Sequence, residues 1–99
     1  MGVPEDPKLA ALWYQRAAEQ GMDNAQLLLG IMYAKGQGEI KANYEQAYAW
    51  INLAATSSND KVRDAALNLK KDLEKNMQPD EIEAARKLSQ GFYSKYADS

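Results

Sequence analysis

Carboxylates are the main reactive side chains in this sequence, because it contains neither histidine nor cysteine. That absence removes the commonest general base, the commonest metal ligand, thiolate nucleophiles and disulfides. The carboxylates lie side by side in the chain, whereas a two-carboxylate hydrolase needs them across a cleft at a defined separation. The groups are Glu5 with Asp6, Asp72 with Glu74, and Asp80, Glu81 with Glu83. Such neighbours are typical of solvated charges, and so we predict no catalytic residue, no metal site, no cofactor and no enzyme.

Two further features also fail as sites. The stretch Gly36-Gln37-Gly38 lacks the lysine and the hydroxyl residue of a phosphate-binding loop, and no strand precedes it. Segment 70–75 mixes lysines with carboxylates, which favours a solvated face. Twelve basic residues against fourteen acidic ones give a formal charge of −2, which argues against a nucleic-acid partner.

The chain length and the residue types favour a single all-α domain. Valine occurs only at Val3 and Val62, and no β-branched run with period two exists. Asp6 and Asn43 are suitable helix N-caps, while Gly21 and Gly36 are suitable helix ends. The linkers between helices are short, which indicates antiparallel neighbours. We predict about five helices, spanning about 7–20, 23–35, 44–56, 61–76 and 79–96.

An internal repeat appears when the sequence is shifted by 37 residues. Trp13 then falls on Trp50, and small residues fall on small residues, so the first and third helices are copies of each other. The other aligned pairs are Val3 with Ile40, Asp6 with Asn43, Ala10 with Ala47, Tyr14 with Ile51, Ala17 with Ala54, Ala18 with Ala55, and Asp23 with Asp60. The repeating unit is therefore a helix pair followed by a loop.

The helices carry apolar faces at helical spacing. On the first helix Trp13 is expected to supply most of the buried area, and small neighbours admit a second helix closely. Gly30 in mid-helix indicates such close contact, since it otherwise costs about 1 kcal/mol relative to alanine. We predict that Trp13, Tyr14, Tyr33 and Trp50 are core aromatics rather than a ligand box. The two faces comprise Ala10, Trp13, Tyr14, Ala17 and Ala18, and opposite them Ala25, Leu29, Gly30 and Tyr33.

These residues resemble the Sel-one-like repeat family (SLR), a relative of the tetratricopeptide repeat. The match is strongest over about residues 2–55, with Arg16 at a lysine position and Glu39 as an insertion. The spacing of 37 separates the chain from the tetratricopeptide repeat, whose period is about 34. The matching residues are Ala10, Trp13, Tyr14, Ala17, Ala18, Glu19, Gln20, Gly21, Ala25, Leu29, Gly30, Tyr33, Gly36, Gly38, Ile40, Asn43, Ala47, Trp50, Ala54 and Ala55.

The resemblance implies a short right-handed α-solenoid of stacked antiparallel helix-turn-helix repeats. We expect one domain over 1–99, with a first repeat at 3–39, a degenerate second repeat at 40–76 and a C-terminal capping helix at 77–96. An apolar stripe on that last helix is expected to pack over the open end of the fourth helix. The stripe comprises Ile82, Ala85, Leu88, Phe92 and Tyr96.

The resemblance also implies a protein–protein interaction scaffold that binds another protein on its concave face. We expect this face to lie opposite the Trp13 stripe on the first helix and at equivalent positions on the third, although these positions also suit plain solvated surface or contacts between helices. The alternative is a structural module that pairs with a second copy through exposed repeat ends. The predicted partner-binding residues are Leu12, Gln15, Arg16, Glu19, Ala49, Asn52, Leu53 and Thr56.

Residues 2–6 align with the loop between the repeats, and so we expect the chain to be the C-terminal part of a longer array. No apolar run is long enough to span a membrane. The start of the sequence has no signal-peptide pattern. The expected location is therefore cytoplasmic if the chain is complete, with the bacterial periplasm as the alternative if a leader was lost.

Overall fold

The computed structural model describes residues 7–36 and 42–96, and these residues form five α-helices and no strand. The helices are α1 (Pro7–Glu19), α2 (Asp23–Lys35), α3 (Tyr44–Ala54), α4 (Asp60–Lys75) and α5 (Pro79–Tyr96). The predicted all-α repeat architecture is confirmed. The predicted bounds agree to within two residues at every helix end.

Local chemistry fixes these helix ends. The Asn43 side chain accepts a hydrogen bond from the Gln46 backbone N–H at 3.1 Å, as expected of an N-cap. Asn59 caps α4 in the same way through the N–H groups of Lys61 and Val62. Gly36 closes α2 in the left-handed region, at φ 72°, and donates its N–H to the Met32 carbonyl. The Asp6 cap, the 2–6 loop, Gly38, Glu39 and Ile40 lie outside the described residues.

Consecutive helices pack side by side, α1 on α2, α2 on α3, and α3 on α4. Their side chains form two clusters. The α3–α4 cluster contains Ala47, Tyr48, Ile51, Ala54, Val62, Ala66, Leu73, Met77 and Ala85. The α1–α3 cluster contains Ala17, Ala18, Ala25, Leu29, Trp50 and Leu53. Alanine supplies much of both, so the helices approach each other closely.

Gly30 marks the closest approach between α2 and α3. A methyl group built on its Cα would lie 2.5 Å from Ile51 Cγ1 and 3.2 Å from the Ala47 carbonyl oxygen. No real side chain occupies such a space without movement of its neighbours. The close helix contact predicted from this mid-helix glycine is therefore present.

The expectation that Trp13 is buried is wrong. Its side chain is 41% exposed, whereas Trp50 at the same repeat position is 1% exposed. Trp50 lies among residues of α1 and α2, the helix pair that precedes it in the chain. Trp13 lies in the first helix pair, and no described residue stands before that pair to cover it.

The expectation that α5 packs over α4 needs correction, since α5 packs mainly along α3. Ile82 and Ala85 at its start do join the α3–α4 cluster. Phe92 and Tyr96 instead place their rings 4.6 Å and 5.2 Å from the Trp50 ring centroid. The polar residue Ser89 is buried beside Asn52. Trp50 offers a large aromatic surface, which draws the second half of α5 onto α3.

We expect Gly30→Ala to lower the free energy of unfolding by about 1–3 kcal/mol, because the new methyl group overpacks the contact between α2 and α3. Gly91→Ala is the matched control, since nothing lies within 4 Å of a methyl group built there. That change should instead add up to about 1 kcal/mol through helix propensity. Urea denaturation followed by far-ultraviolet circular dichroism measures both. Equal effects of the two substitutions would contradict the close contact.

Candidate binding surface

The predicted positions on α1 lie at the surface. Leu12 is 56% exposed, Arg16 is exposed, and Gln15 donates a hydrogen bond to Glu19 at 2.9 Å. Leu12 and Arg16 line a cavity of about 550 Å³, which we call the α1 groove. Its other lining residues are Leu9, Trp13, Ala17, Gln20 and Met22. Leu9, Trp13 and Met22 are largely exposed, so this groove is predominantly apolar.

Two of the predicted positions on α3 are not at the surface. Ala49 is 0% exposed and Leu53 is 3% exposed, so the expectation that they lie on an open face is wrong. The physical reason is that α3 is packed by α2, α4 and α5, whereas α1 is packed by α2. Leu53 belongs to the α1–α3 cluster. Equivalent positions in two repeats therefore have different exposure.

The remaining predicted positions on α3 line a second cavity, of about 370 Å³, which we call the α3–α5 pocket. Asn52 is half-buried and donates a hydrogen bond to Ser89 Oγ at 3.2 Å, and Thr56 is exposed. The lining residues are Asn52, Leu53, Thr56, Lys70, Arg86, Ser89, Gln90 and Tyr93. No lining residue is shared with the α1 groove, so the predicted positions line two different cavities.

The repeat pattern does not indicate the contributions of α4 and α5 to this pocket. Lys70 comes from α4, while Arg86, Ser89, Gln90 and Tyr93 come from α5. The period of 37 fixes no register for α5. The available signal is Ser89, four residues after Ala85 of the predicted stripe, because a serine buried there requires a polar partner nearby.

A buried tyrosine organises the charges beside the pocket. Tyr48 is 0% exposed and its hydroxyl donates a hydrogen bond to Glu74 at 2.9 Å. Lys70 Nζ lies 5.6 Å from the centroid of the Tyr48 ring, within cation–π range. Burial raises the pKa of Tyr48, Glu74 adds to that rise, and Arg86 opposes it. Burial and the charge of Glu19 likewise raise the pKa of Tyr33 on α2.

Among the described residues, no group of three or more carboxylates is arranged to hold a metal ion. None of their helices is long and apolar enough to cross a bilayer.

Comparisons with known proteins agree with this helical arrangement. The model of the Sel1 repeat matches residues 1–22 and 23–59, more than half of the chain. This chain belongs to the Sel1 repeat family. The family model places a repeat boundary between residues 22 and 23, between α1 and α2. The boundary predicted from the sequence, between residues 39 and 40, lies between α2 and α3. The predicted boundaries stay predictions.

A Sel1-like crystal structure has the same arrangement over nearly the whole chain. That structure is of a protective antigen present in uropathogenic Escherichia coli strains and displays an SLR fold. It is 34% identical to this chain with a TM-score of 0.85, over 94% of this chain and 19% of the antigen. The chain thus spans about a fifth of that protein. No curated protein sequence matched the chain. Sel1 repeats are typically non-catalytic interaction scaffolds.

We expect Tyr48→Phe to cost about 0.5–1.5 kcal/mol at neutral pH, through loss of the hydrogen bond to Glu74. Because the folded-state pKa of Tyr48 is raised above 10.0, folding favours the protonated phenol. That contribution is complete below pH 10.0 and is lost as the pH rises through the folded-state pKa.

The stability difference between the wild type and Tyr48→Phe should therefore shrink above pH 10. Urea denaturation across neutral to alkaline pH measures it, with Tyr93→Phe at an exposed position as the control. A difference that stays constant with pH would contradict the raised pKa.

Proposed function

We propose that this chain is a non-enzymatic protein–protein interaction module from the C-terminal part of a longer Sel1 array, with a partner bound on its concave face. The observation that carries the array proposal is the contrast between two equivalent tryptophans. Trp50 is 1% exposed and Trp13 is 41% exposed, although both occupy the same position in the repeat.

The burial of Trp50 shows what a covered repeat position requires. Its neighbours in the α1–α3 cluster come from the helix pair that precedes it, including Ala18 and Leu29. Because Trp13 is equivalent to Trp50, we infer that a helix pair ahead of α1 covers it with a similar surface of small residues. The apolar α1 groove around Trp13 is the place where that pair docks. The fivefold greater length of the similar antigen supports an array of this kind.

The proposed partner surface consists of the predicted positions that remain accessible. These are Gln15, Glu19, Asn52 and Thr56, since Ala49 and Leu53 are buried and Leu12 and Arg16 line the groove where the preceding repeat docks. Their amide, carboxylate and hydroxyl groups suit a polar rim around a protein contact.

A second candidate function is self-association through the same exposed repeat end. The α1 groove presents large apolar side chains, among them Leu9, Leu12 and Met22, each more than half exposed. Exposed apolar surface of this kind is typical of interaction sites. Light scattering across a wide concentration range separates the two functions. A dimer that Trp13→Ala dissociates would favour self-association over the array.

The array proposal predicts that a further repeat stabilises the chain. We would place a second copy of residues 3–39 directly ahead of residue 3, which keeps the spacing of 37. In the 99-residue chain Trp13→Ala should cost less than about 1.5 kcal/mol, because the side chain is largely exposed. In the extended chain the same substitution should cost about 3–5 kcal/mol, as expected of a buried tryptophan.

Urea denaturation measures both costs. Trp50→Ala serves as the reference, since Trp50 is buried in either chain. An equal, small cost of Trp13→Ala in the two chains would contradict docking of a preceding repeat on the α1 groove.

The surface proposal predicts that Gln15→Ala and Asn52→Ala leave the helical content unchanged and weaken binding of an identified partner. Each substitution removes a polar contact worth about 1–3 kcal/mol at an interface, which is a loss of affinity of about five- to 160-fold. Isothermal titration calorimetry measures it. Lys61→Ala, at an exposed position on α4 outside both cavities, is the control. Unchanged affinity in both variants would overturn the surface.

A further inference from the structure

We propose that the α3–α5 pocket is a binding subsite for a single carboxylate of a peptide partner, held between Lys70 and Arg86. This inference rests on the proposed interaction function and names the chemistry that one part of the surface recognises. The observations behind it are the cavity, the positions of the two cations and the hydrogen-bonding state of the polar groups around them.

The pocket lies where α3, α4 and α5 meet. Lys70 projects from α4 and Arg86 from α5, so that two cations from different helices line one cavity of about 370 Å³. None of the described residues that line it is an aspartate or a glutamate. The cavity is large enough for a side-chain carboxylate with its neighbouring methylene groups.

Tyr48 positions one of the two cations. Its buried ring lies 5.6 Å from Lys70 Nζ, within cation–π range. A long side chain that is already held in position loses less conformational entropy when a ligand binds. Lys70 is therefore partly organised before any ligand arrives.

The Thr56 and Ser89 hydroxyl protons are not free for a ligand. Thr56 donates its proton to the Leu53 carbonyl at 2.6 Å, and Ser89 donates its proton to the Ala85 carbonyl at 2.8 Å. The donors that remain are the two cations, the amides of Asn52 and Gln90, and the Tyr93 hydroxyl. A set dominated by positive charge and N–H groups binds an anionic acceptor.

The local charge favours a carboxylate over a phosphate. Glu74 accepts a hydrogen bond from Tyr48 beside the pocket, and so its negative charge lowers the positive potential there. Glu83 has its own partner in Lys87, at 4.0 Å. The pocket is therefore less positive than two isolated cations would make it. A carboxylate carries one negative charge, while a phosphate monoester carries nearly two at neutral pH.

The test is an NMR titration of the ¹⁵N-labelled chain that follows the side-chain amides of Asn52 and Gln90. The probes are the blocked peptide acetyl-Ala-Ala-Glu-Ala-Ala-amide, its Gln counterpart, acetyl-pentaalanine with a free carboxyl terminus, and inorganic phosphate. We expect the Glu peptide to shift both amides saturably and the Gln peptide to leave them in place. The free-terminus peptide shows whether a chain end enters the pocket as well as a side chain.

Two variants and one control test whether the charge of the pocket binds the Glu peptide. Arg86→Gln should weaken binding of the Glu peptide tenfold or more, because it removes a charged hydrogen-bond donor. Gln90→Glu should abolish binding through repulsion at an exposed position that leaves Tyr48 and its contacts intact. Lys71→Gln changes the net charge equally at an exposed position outside the pocket, and it should bind as the wild type does.

The inference is overturned if the Gln peptide shifts the amides equally, if phosphate binds more tightly than the Glu peptide, or if Arg86→Gln and Lys71→Gln behave alike. If, in those cases, Asn52→Ala still weakens the binding of a natural partner, the interaction function stands without the carboxylate subsite. Loss of partner binding by Arg86→Gln but not by Lys71→Gln would support both.

Discussion

Burial of the Trp50 indole holds the two repeats and the last helix together. Its side chain, on α3, is 1% exposed, belongs to one cluster with residues of α1 and α2, and packs against the Phe92 and Tyr96 rings of α5. An indole of this size contributes about 4–6 kcal/mol through burial. Its Nε1–H finds no hydrogen-bond partner among the described residues, which costs about 1–3 kcal/mol. Packing of the Phe92 and Tyr96 rings outweighs that cost, and so α5 lies along α3.

The position of α5 explains why equivalent surfaces of the two repeats serve different purposes. On α3 the repeat position of Leu12 becomes the buried Ala49, and polar groups of α4 and α5 surround Asn52. On α1, Leu12 stays exposed and lines the apolar α1 groove. Our proposals place the docking of a further repeat on the apolar α1 groove and the recognition of a ligand at the α3–α5 pocket, which two cations line.

The sequence predicted the helices well because their determinants are local. Caps such as Asn43 and terminators such as Gly36 act within one helical turn, and the close contact at Gly30 follows from the cost of a glycine in mid-helix. The exposure of Trp13 and the burial of Ala49 depend instead on which helices pack against α1 and α3. A repeat pattern does not specify those neighbours at the two ends of the repeats. The pocket at Lys70 and Arg86 was missed for the same reason, since it exists only once α5 is placed on α3.

The most direct test of this account compares the two tryptophans in the chain as it stands. Trp50→Phe leaves Trp13 as the sole tryptophan, and Trp13→Phe leaves Trp50. Acrylamide quenching of fluorescence in dilute solution then reports the accessibility of each indole. The account predicts ready quenching and red-shifted emission for Trp13, with strong protection and blue-shifted emission for Trp50. Equal protection of the two indoles in a monomer would contradict it, because the open repeat end would then be absent.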